Sequence, residues 1–124
     1  MYNNFFRPVN LKCEFVENAL GVDVYSPDLS WTIETADPLH RGFKQTAYQV
    51  LVATSLVRLE KNQADLWDSG KVNSDKMTQI SYSGAALQSS KKCFWKVRIW
   101  DEKKKVSTWC DPAFWITGIL KEED

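Results

Sequence analysis

The sequence predicts an all-β fold, an antiparallel sandwich of two sheets with about seven strands. Short segments of alternating apolar and polar residues recur along the chain, turn signals separate them, and helical periodicity is almost absent. Such a series is typical of a sandwich, although a closed barrel of similar size also fits it. The length of 124 residues predicts one domain over residues 1–124, with its core between about residues 9 and 118.

The first predicted strand follows Pro8, where apolar residues alternate with polar ones. Its inward side is predicted to carry Val9, Leu11, Cys13 and Phe15. The next stretch contains Gly21 and Pro27 and predicts a long irregular connection.

The second and third predicted strands differ in how they are covered. Leu29, Trp31 and Ile33 alternate with polar residues, which predicts a short strand with Trp31 facing the core. Residues 46–55 are apolar on both sides, with Tyr48, Val50 and Val52 facing one way and Leu51 and Ala53 the other. We therefore expect a central strand that is covered on both faces.

Three smaller elements are predicted to follow. Leu56 and Leu59 stand three residues apart among charged residues, which predicts one or two helical turns on the surface. A short strand then ends in a turn formed by residues 68–70, where glycine permits the required backbone. A further alternating strand contains Thr78, Ile80 and Tyr82.

Residues 91–118 predict a hairpin that contains four of the six tryptophans. One side of its first strand is predicted to face the core, and this side carries Cys93, Trp95, Val97 and Ile99. The opposite side carries Phe94, Lys96, Arg98 and Trp100. A polar run at residues 101–105 leads to a second strand around residues 113–117, and its lack of glycine predicts a longer and looser loop.

The charge balance and hydropathy exclude some partners. Sixteen basic and 16 acidic residues give a formal net charge of zero, so the chain lacks the field with which nucleic-acid binders attract phosphates. No apolar run approaches the roughly 18 residues that span a bilayer. Residues 1–10 lack the layout of a signal peptide. We expect neither nucleic acid nor membrane as a partner.

The three cysteines do not predict a disulfide framework or a metal centre. Their odd number leaves at least one thiol free, and none stands in a CxxC pair. A zinc site would need all three thiols to converge with His40, the only histidine. Cys13 and Cys93 lie on the apolar sides of their strands and are interpreted as small core side chains.

The sequence predicts no catalytic residue and no cofactor. The neighbouring acids, Asp65 with Asp68 and Asp101 with Glu102, are interpreted as solvated turn residues. His40 is the only candidate base for a nucleophile, and it stands in a predicted surface loop. The five glycines are dispersed, so no phosphate-binding run is present.

Three motifs, in this order and spacing, carry a family resemblance: RGFKQTAYQVLVA at residues 41–53, DLWDSGKVNSD at residues 65–75 and FWKVRIWDEKKKVSTW at residues 94–109. The chain resembles, over about residues 9–118, the N-terminal fibronectin type III-like domain of bacterial α-L-rhamnosidases. The resemblance implies an immunoglobulin-like sandwich cut from a larger enzyme.

One departure from the family pattern concerns the corner before the penultimate strand, where Leu87 is present but Cys93 stands in place of the expected tyrosine. Because a thiol is a weak donor, we expect the corner to be held in another way.

For the parent enzyme, the resemblance implies an inverting glycoside hydrolase whose acids lie in a separate helical barrel, absent from this chain. It also implies a periplasmic or secreted location of that parent, which this chain does not itself indicate. The chain alone is therefore predicted to be non-catalytic.

Two hypotheses of function follow. The first is a structural accessory domain that packs on neighbouring domains and positions the hydrolase. The alternative is a carbohydrate-binding module that stacks exposed aromatic rings on sugars, and a protein-adhesion module is a third choice. Both leading hypotheses use the same surface, which is predicted to contain Phe94, Arg98, Trp100 and Trp109.

Overall fold

The computed structural model describes residues 6–35 and 44–120. Within these residues it contains eight strands and one short helix, in the order β1 (Phe6–Cys13), β2 (Leu20–Val22), β3 (Asp28–Thr35), β4 (Ala47–Ala53), α1 (Leu56–Glu60), β5 (Trp67–Asp68), β6 (Ile80–Ser81), β7 (Lys92–Trp100) and β8 (Ala113–Thr117). One sheet has the order β1-β3-β6 and the other has the order β2-β8-β7-β4-β5. The predicted two-sheet sandwich is confirmed.

The main core lies between the two sheets and is built around tryptophans. Trp31, Trp95 and Trp115 are 2%, 1% and 0% exposed. The rings of Trp95 and Trp115 meet edge to face with their centroids 6.1 Å apart, and Trp31 meets Tyr48 in the same way at 5.2 Å. Edge-to-face contacts between aromatic rings add to the free energy of burying their area. The prediction that Trp31 points inward is confirmed.

Strand β1 begins at Phe6, before Pro8, and contains a bulge that the alternation of apolar and polar residues does not predict. Asn10 has a φ of 55°, and the pairing of β1 with β3 slips between Val9 and Lys12. Because one extra residue reverses the alternation, Val9 is only partly buried. The buried side chains are Phe6 and Pro8 before the bulge and Leu11 and Cys13 after it.

The prediction that Phe15 faces the core is wrong. The chain leaves β1 at Cys13 and reverses at once, because Glu14 and Phe15 have φ values of 51° and 68°. The backbone N–H of Cys13 donates to the carbonyl oxygen of Val16 at 2.9 Å, which closes this turn. Phe15 therefore lies at the tip and is 67% exposed.

Part of the predicted irregular connection before β3 is the edge strand β2. It pairs with β8 in parallel, which makes this pairing an exception in the antiparallel sandwich. Val22 is buried, whereas Leu20 is 73% exposed, and Gly21 between them has a φ of 73°. Strand β2 has only three residues and a break in register, so no apolar–polar alternation marks it in the sequence.

The prediction of a central, covered third strand is confirmed by β4. This strand lies between β7 and β5, and six of its seven residues are buried. On the side away from the main core, Leu51 and Ala53 pack with Leu59 of α1. The predicted short helix is thus confirmed, and Ser55 caps it by accepting a hydrogen bond from the backbone N–H of Arg58 at 3.2 Å.

The two small strands β5 and β6 also match predicted elements. The turn after β5 contains Gly70 with a φ of 66°, as the glycine there predicted. Strand β6 contains only two residues, so the predicted strand around Thr78 and Tyr82 is shorter than expected. Ile80 and Tyr82 are buried, and Thr78 is exposed.

A residue of β8 stabilises the corner between β6 and β7. Leu87 is 5% exposed, and the thiol of Cys93 is buried at the position where a tyrosine was expected. The hydroxyl of Thr117 accepts from the backbone N–H of Lys91 at 2.8 Å and donates to the carbonyl oxygen of Gln88 at 2.5 Å. A threonine in a neighbouring strand therefore stabilises the corner through hydrogen bonds.

The β7–β8 hairpin is confirmed, but its turn is tighter than predicted. Asp101 is 7% exposed, and its Oδ1 accepts from the backbone N–H groups of Lys103 at 2.9 Å and Lys105 at 2.8 Å. Lys104 has a φ of 63° and takes the position where glycine was expected. The buried carboxylate of Asp101 thus stabilises the turn without a glycine. The predictions of a loose loop and of a solvated Asp101 are therefore wrong.

Candidate functional site

The candidate surface lies on the outer face of the five-stranded sheet, the side turned away from the three-stranded sheet. In β7 the inward residues are buried, as predicted. Strand alternation places the other side chains on the outer face, and these include Phe94, Lys96, Arg98 and Trp100. Phe94, Arg98 and Trp100 are partly buried there, and Lys96 is 7% exposed.

Trp109 reaches the same face from the connection between the two hairpin strands. Backbone hydrogen bonds from Ser107 to Ile99, at 2.8 Å, and from Cys110 to Val97, at 3.1 Å, hold this connection beside β7. The indole ring of Trp109 is partly buried. The four residues predicted from the sequence therefore lie on one surface.

Arg98 joins the two tryptophans of this surface. Its guanidinium carbon lies 4.5 Å from the ring centroid of Trp109 and 5.3 Å from that of Trp100. Its Nε donates to Oε1 of Gln49 at 2.9 Å, which fixes the plane of the guanidinium. Contacts of this kind between a cation and an aromatic ring are attractive, by about 0.5–1 kcal/mol at exposed sites.

Three lysines add further contacts to these rings. Nζ of Lys96 lies 4.7 Å from the centroid of Trp109, and Nζ of Lys71 lies 5.1 Å from that of Trp100. Lys92 lies 5.1 Å from the ring of Phe94, and also contacts Phe114 of β8. Each predicted aromatic residue therefore has a cation of the same chain against its ring.

Lys96 is the most buried cation of the outer face. Burial lowers the pKa of its ammonium, and Nζ donates to Oδ1 of Asn62 at 2.6 Å. Asn62 follows α1 and has a φ of 58°. The end of the helix is thus joined to the middle of β7.

Helix α1 covers one part of the outer face. Phe94 and Trp109 pack against the small cluster that Leu59 forms with β4. These two rings therefore contribute to a second apolar core. Trp100 lies outside this cluster, and the cations of Lys71 and Arg98 contact its ring.

The outer face also continues toward the sheet edge. Phe114 lies opposite Phe94 in the pairing of β7 with β8, and Ile116 pairs with Leu20 of β2. Lys96 was predicted on this side of β7, whereas Phe114, Lys71 and Lys92 were not predicted to lie on this face. Period-2 alternation around the buried Trp115 could have placed Phe114 on this face.

The acidic residues have local structural roles. Asp65 accepts hydrogen bonds from the backbone N–H and the hydroxyl of Thr54, at 2.8 and 2.6 Å. Burial acts to raise the pKa of Asp65, but these hydrogen bonds and nearby Arg58 outweigh it and hold that pKa below its ordinary value. Asp68 accepts from the backbone N–H of Gly70, and Glu102 accepts from that of Lys44. Each of these acids therefore supports a turn or a loop.

The three thiols are all buried and free. The interpretation of Cys13 and Cys93 as core side chains is confirmed, with exposures of 1% and 2%. Burial raises the pKa of Cys13 to about 12, and those of Cys93 and Cys110 to about 11. His40 lies outside the described residues. In the part of the chain described, no cluster of three or more histidine, cysteine or acidic residues could hold a metal ion.

A small cleft opens beside the bulge of β1. Its volume is about 210 Å³, and its lining includes Asn10, Asn18 and Cys110. Ligand pockets for small molecules are usually about 300–1,000 Å³, so this cleft is small for such a ligand. Over residues 6–35 and 44–120, no helix is long and apolar enough to cross a membrane.

Comparison with known proteins relates most of the chain to one type of domain. Residues 8–121 match the family described as "Rha78A-like, N-terminal immunoglobulin domain". An alpha-L-rhamnosidase of Streptomyces avermitilis is 42% identical over 114 residues, which cover 92% of this chain and 11% of that protein. One from Formosa agariphila is 36% identical over 107 residues, covering 86% of this chain and 11% of that protein.

The fold comparison agrees with the sequence comparison. A solved structure of the alpha-L-rhamnosidase from Dictyoglumus thermophilum superposes with a TM-score of 0.89 and 43% identity. The superposition covers 98% of this chain and 13% of that one. The chain thus spans only about a tenth of the length of the relatives that it matches.

Proposed function

Because this chain belongs to the family of Rha78A-like, N-terminal immunoglobulin domains, we propose that it serves as a non-catalytic accessory domain of a multidomain α-L-rhamnosidase. In this role residues 1–124 form one unit, with its core at about residues 9–118, which packs on neighbouring domains and positions them. Hydrolysis of terminal rhamnose with inversion belongs to the rest of the parent enzyme. The partners of this chain are then the neighbouring domains.

This proposal rests on the contacts that the aromatic rings of the outer face already make within the chain. A sugar-binding platform needs a ring face that is open to solvent, with polar groups nearby that can pair with hydroxyls. Here Trp100 is contacted by Lys71 and Arg98, and Trp109 by Lys96 and Arg98. The rings are thus already engaged within the chain, which favours packing over sugar stacking.

Rigid aromatic and arginine side chains also suit a protein interface. Tryptophan and arginine are enriched among the residues that dominate binding between protein surfaces. Arg98 is held in place by Gln49 and by two indole rings, so little conformational entropy would be lost when a partner covers it. The outer face, centred on Arg98 and Trp100, is therefore the proposed interdomain surface.

A substitution in the full-length protein tests this proposal. Trp100→Ala removes a partly exposed ring from the outer face, and Lys103→Ala serves as a control in the exposed hairpin turn. We expect Trp100→Ala to separate the thermal transition of this domain from that of the remaining protein, whereas Lys103→Ala keeps the calorimetric trace of the unmodified protein. Identical traces for both variants and the unmodified protein would contradict a packing role for the outer face.

A further inference from the structure

Large apolar side chains are exposed together at one end of the sandwich. In the described part of the chain, six of the nine large hydrophobic side chains that are exposed belong to this group. We call the group the exit surface, and it consists of Phe15, Val16, Leu20, Val24, Tyr25 and Ile119. Leu20 and Ile119 are the most exposed members, at 73% and 76%.

The strand topology brings these residues to the same end. Backbone N–H of Glu14, in the turn after β1, donates to the carbonyl oxygen of Asp28 at the start of β3. Backbone N–H of Gly118, just after β8, donates to the carbonyl oxygen of Val22 at the end of β2. The turn at residues 14–16, the segment at residues 23–27 and the exit from β8 therefore meet at one end.

The chain leaves β8 along a fixed path beside this surface. Leu120 is 8% exposed, and its backbone N–H donates to Oγ of Ser89 at 2.8 Å. Backbone N–H of Ser90 donates to the carbonyl oxygen of Gly118 at 3.1 Å. A Cβ at Gly118 would lie 3.0 Å from the carbonyl oxygen of Gly21, so the two strands approach closely here. Any chain that follows Leu120 thus starts from a fixed point next to Ile119.

In the relatives, most of the protein follows this point. The matched family is an N-terminal domain, its match ends at residue 121, and the chain covers 11% of the Streptomyces avermitilis protein. Extended chain advances at most about 3.6 Å per residue, so a short linker keeps the next domain close to the exit surface. Exposed apolar groups of this kind mark surfaces that another protein part covers.

We propose that the exit surface docks against the domain that follows this one in the full-length protein. This inference rests on the proposed function and adds a second contact to it. Leu20 links the exit surface to the outer face, because it pairs with Ile116, which in turn pairs with Lys92. One neighbouring domain could therefore cover the sheet edge and the end of the sandwich together.

Single introduced cysteines in the full-length protein test the inference. All three native thiols of the described domain are buried, so within this domain a maleimide should react with the introduced cysteine and not with a native one. Tyr25→Cys and Ile119→Cys probe the exit surface, and Leu20→Cys provides a further probe if either variant folds poorly. Lys103→Cys is the control, because Lys103 is exposed in the turn after β7, at the opposite end of the sandwich and outside the proposed interdomain surface.

We expect Tyr25→Cys and Ile119→Cys to react at least about tenfold more slowly than Lys103→Cys, since thiol labelling follows exposure. All variants should react alike in denaturant. Labelling as fast as the control would overturn the inference. Slow labelling that becomes fast on dilution would overturn it in favour of a contact between two copies of the protein.

A further variant separates this inference from the proposed function. Lys71→Cys lies on the outer face, against Trp100. Slow labelling there, combined with fast labelling at Ile119→Cys, would contradict only the exit surface. Fast labelling at both positions would contradict the proposed function as well.

Discussion

Trp31 shows what a single residue contributes to this sandwich. It is 2% exposed, and its indole N–H donates to Oε1 of Gln45 at 3.0 Å. The Gln45 amide in turn donates to the carbonyl oxygens of Ser74 and Lys76, at 3.1 and 3.0 Å. The buried side chain of Gln45 therefore joins Trp31 of β3 to the segment that precedes β6.

Replacing Trp31 should destabilise the domain strongly. Trp31→Ala leaves a cavity between the sheets and removes the partner of a buried amide, so we expect a loss of about 3–5 kcal/mol in the free energy of unfolding. Trp100→Ala, which changes a partly exposed tryptophan, should cost much less. Denaturant unfolding monitored by fluorescence measures both, and an unchanged midpoint for Trp31→Ala would mean that Trp31 does not fill the core.

The thiols give a second prediction for single residues. Cys13, Cys93 and Cys110 are buried, and burial raises their pKa values to about 12, 11 and 11. At pH 8 the folded chain should therefore show no rapid reaction with a thiol-specific disulfide reagent, and three thiols should react after denaturation. A thiol that reacts rapidly in the native protein would show that its strand opens locally.

At the scale of elements, strand alternation predicted the long strands and failed where the backbone departs from it. The inward residues of β7 and β3 followed the period of two. Asn10 reversed the period within β1, and Phe15 was placed wrongly because Glu14 and Phe15 both take positive φ values. Asparagine adopts this conformation more readily than most residues, but its presence alone does not fix a bulge.

The corner before β7 offers a test at this scale. Thr117 is 2% exposed and bonds to both sides of the corner through one hydroxyl. Thr117→Val keeps the shape but leaves the Lys91 N–H and the Gln88 carbonyl without that partner, so we expect a loss of about 1–3 kcal/mol in the free energy of unfolding. Thr117→Ser keeps the hydroxyl and should cost less. Equal stability of the valine variant and the unmodified chain in urea titration would contradict the role given to this hydroxyl.

For the whole molecule, the sequence predicted which residues share the outer face but not what contacts them. Alternation placed Phe94, Arg98 and Trp100 on one side of β7. The cations that contact their rings include Lys71, which comes from a distant part of the chain and is brought there only by the tertiary fold. Buried Asp101 was likewise unpredictable, because its two backbone donors appear only when the turn has formed.

The structural roles of the candidate acids give a prediction for the isolated chain. The candidate acids Asp65, Asp68, Asp101 and Glu102 accept hydrogen bonds in turns and loops. An inverting pair would need two carboxyl groups about 6.5–9.5 Å apart across a sugar. We expect no hydrolysis of an aryl α-L-rhamnoside by the chain, measured by release of the chromophore. The full-length relative from Streptomyces avermitilis is the positive control, and turnover that persists through repeated purification of the chain would refute the prediction.

Calorimetric titration of the isolated chain with L-rhamnose and rhamnose-containing oligosaccharides distinguishes an accessory domain from a carbohydrate-binding module. If the outer face packs on protein, the titration should give only the heat of dilution, with Trp100→Ala and Trp109→Ala indistinguishable from the unmodified chain. Saturable binding that is lost when Trp100 or Trp109 is replaced would contradict the accessory role and identify the chain as a carbohydrate-binding module.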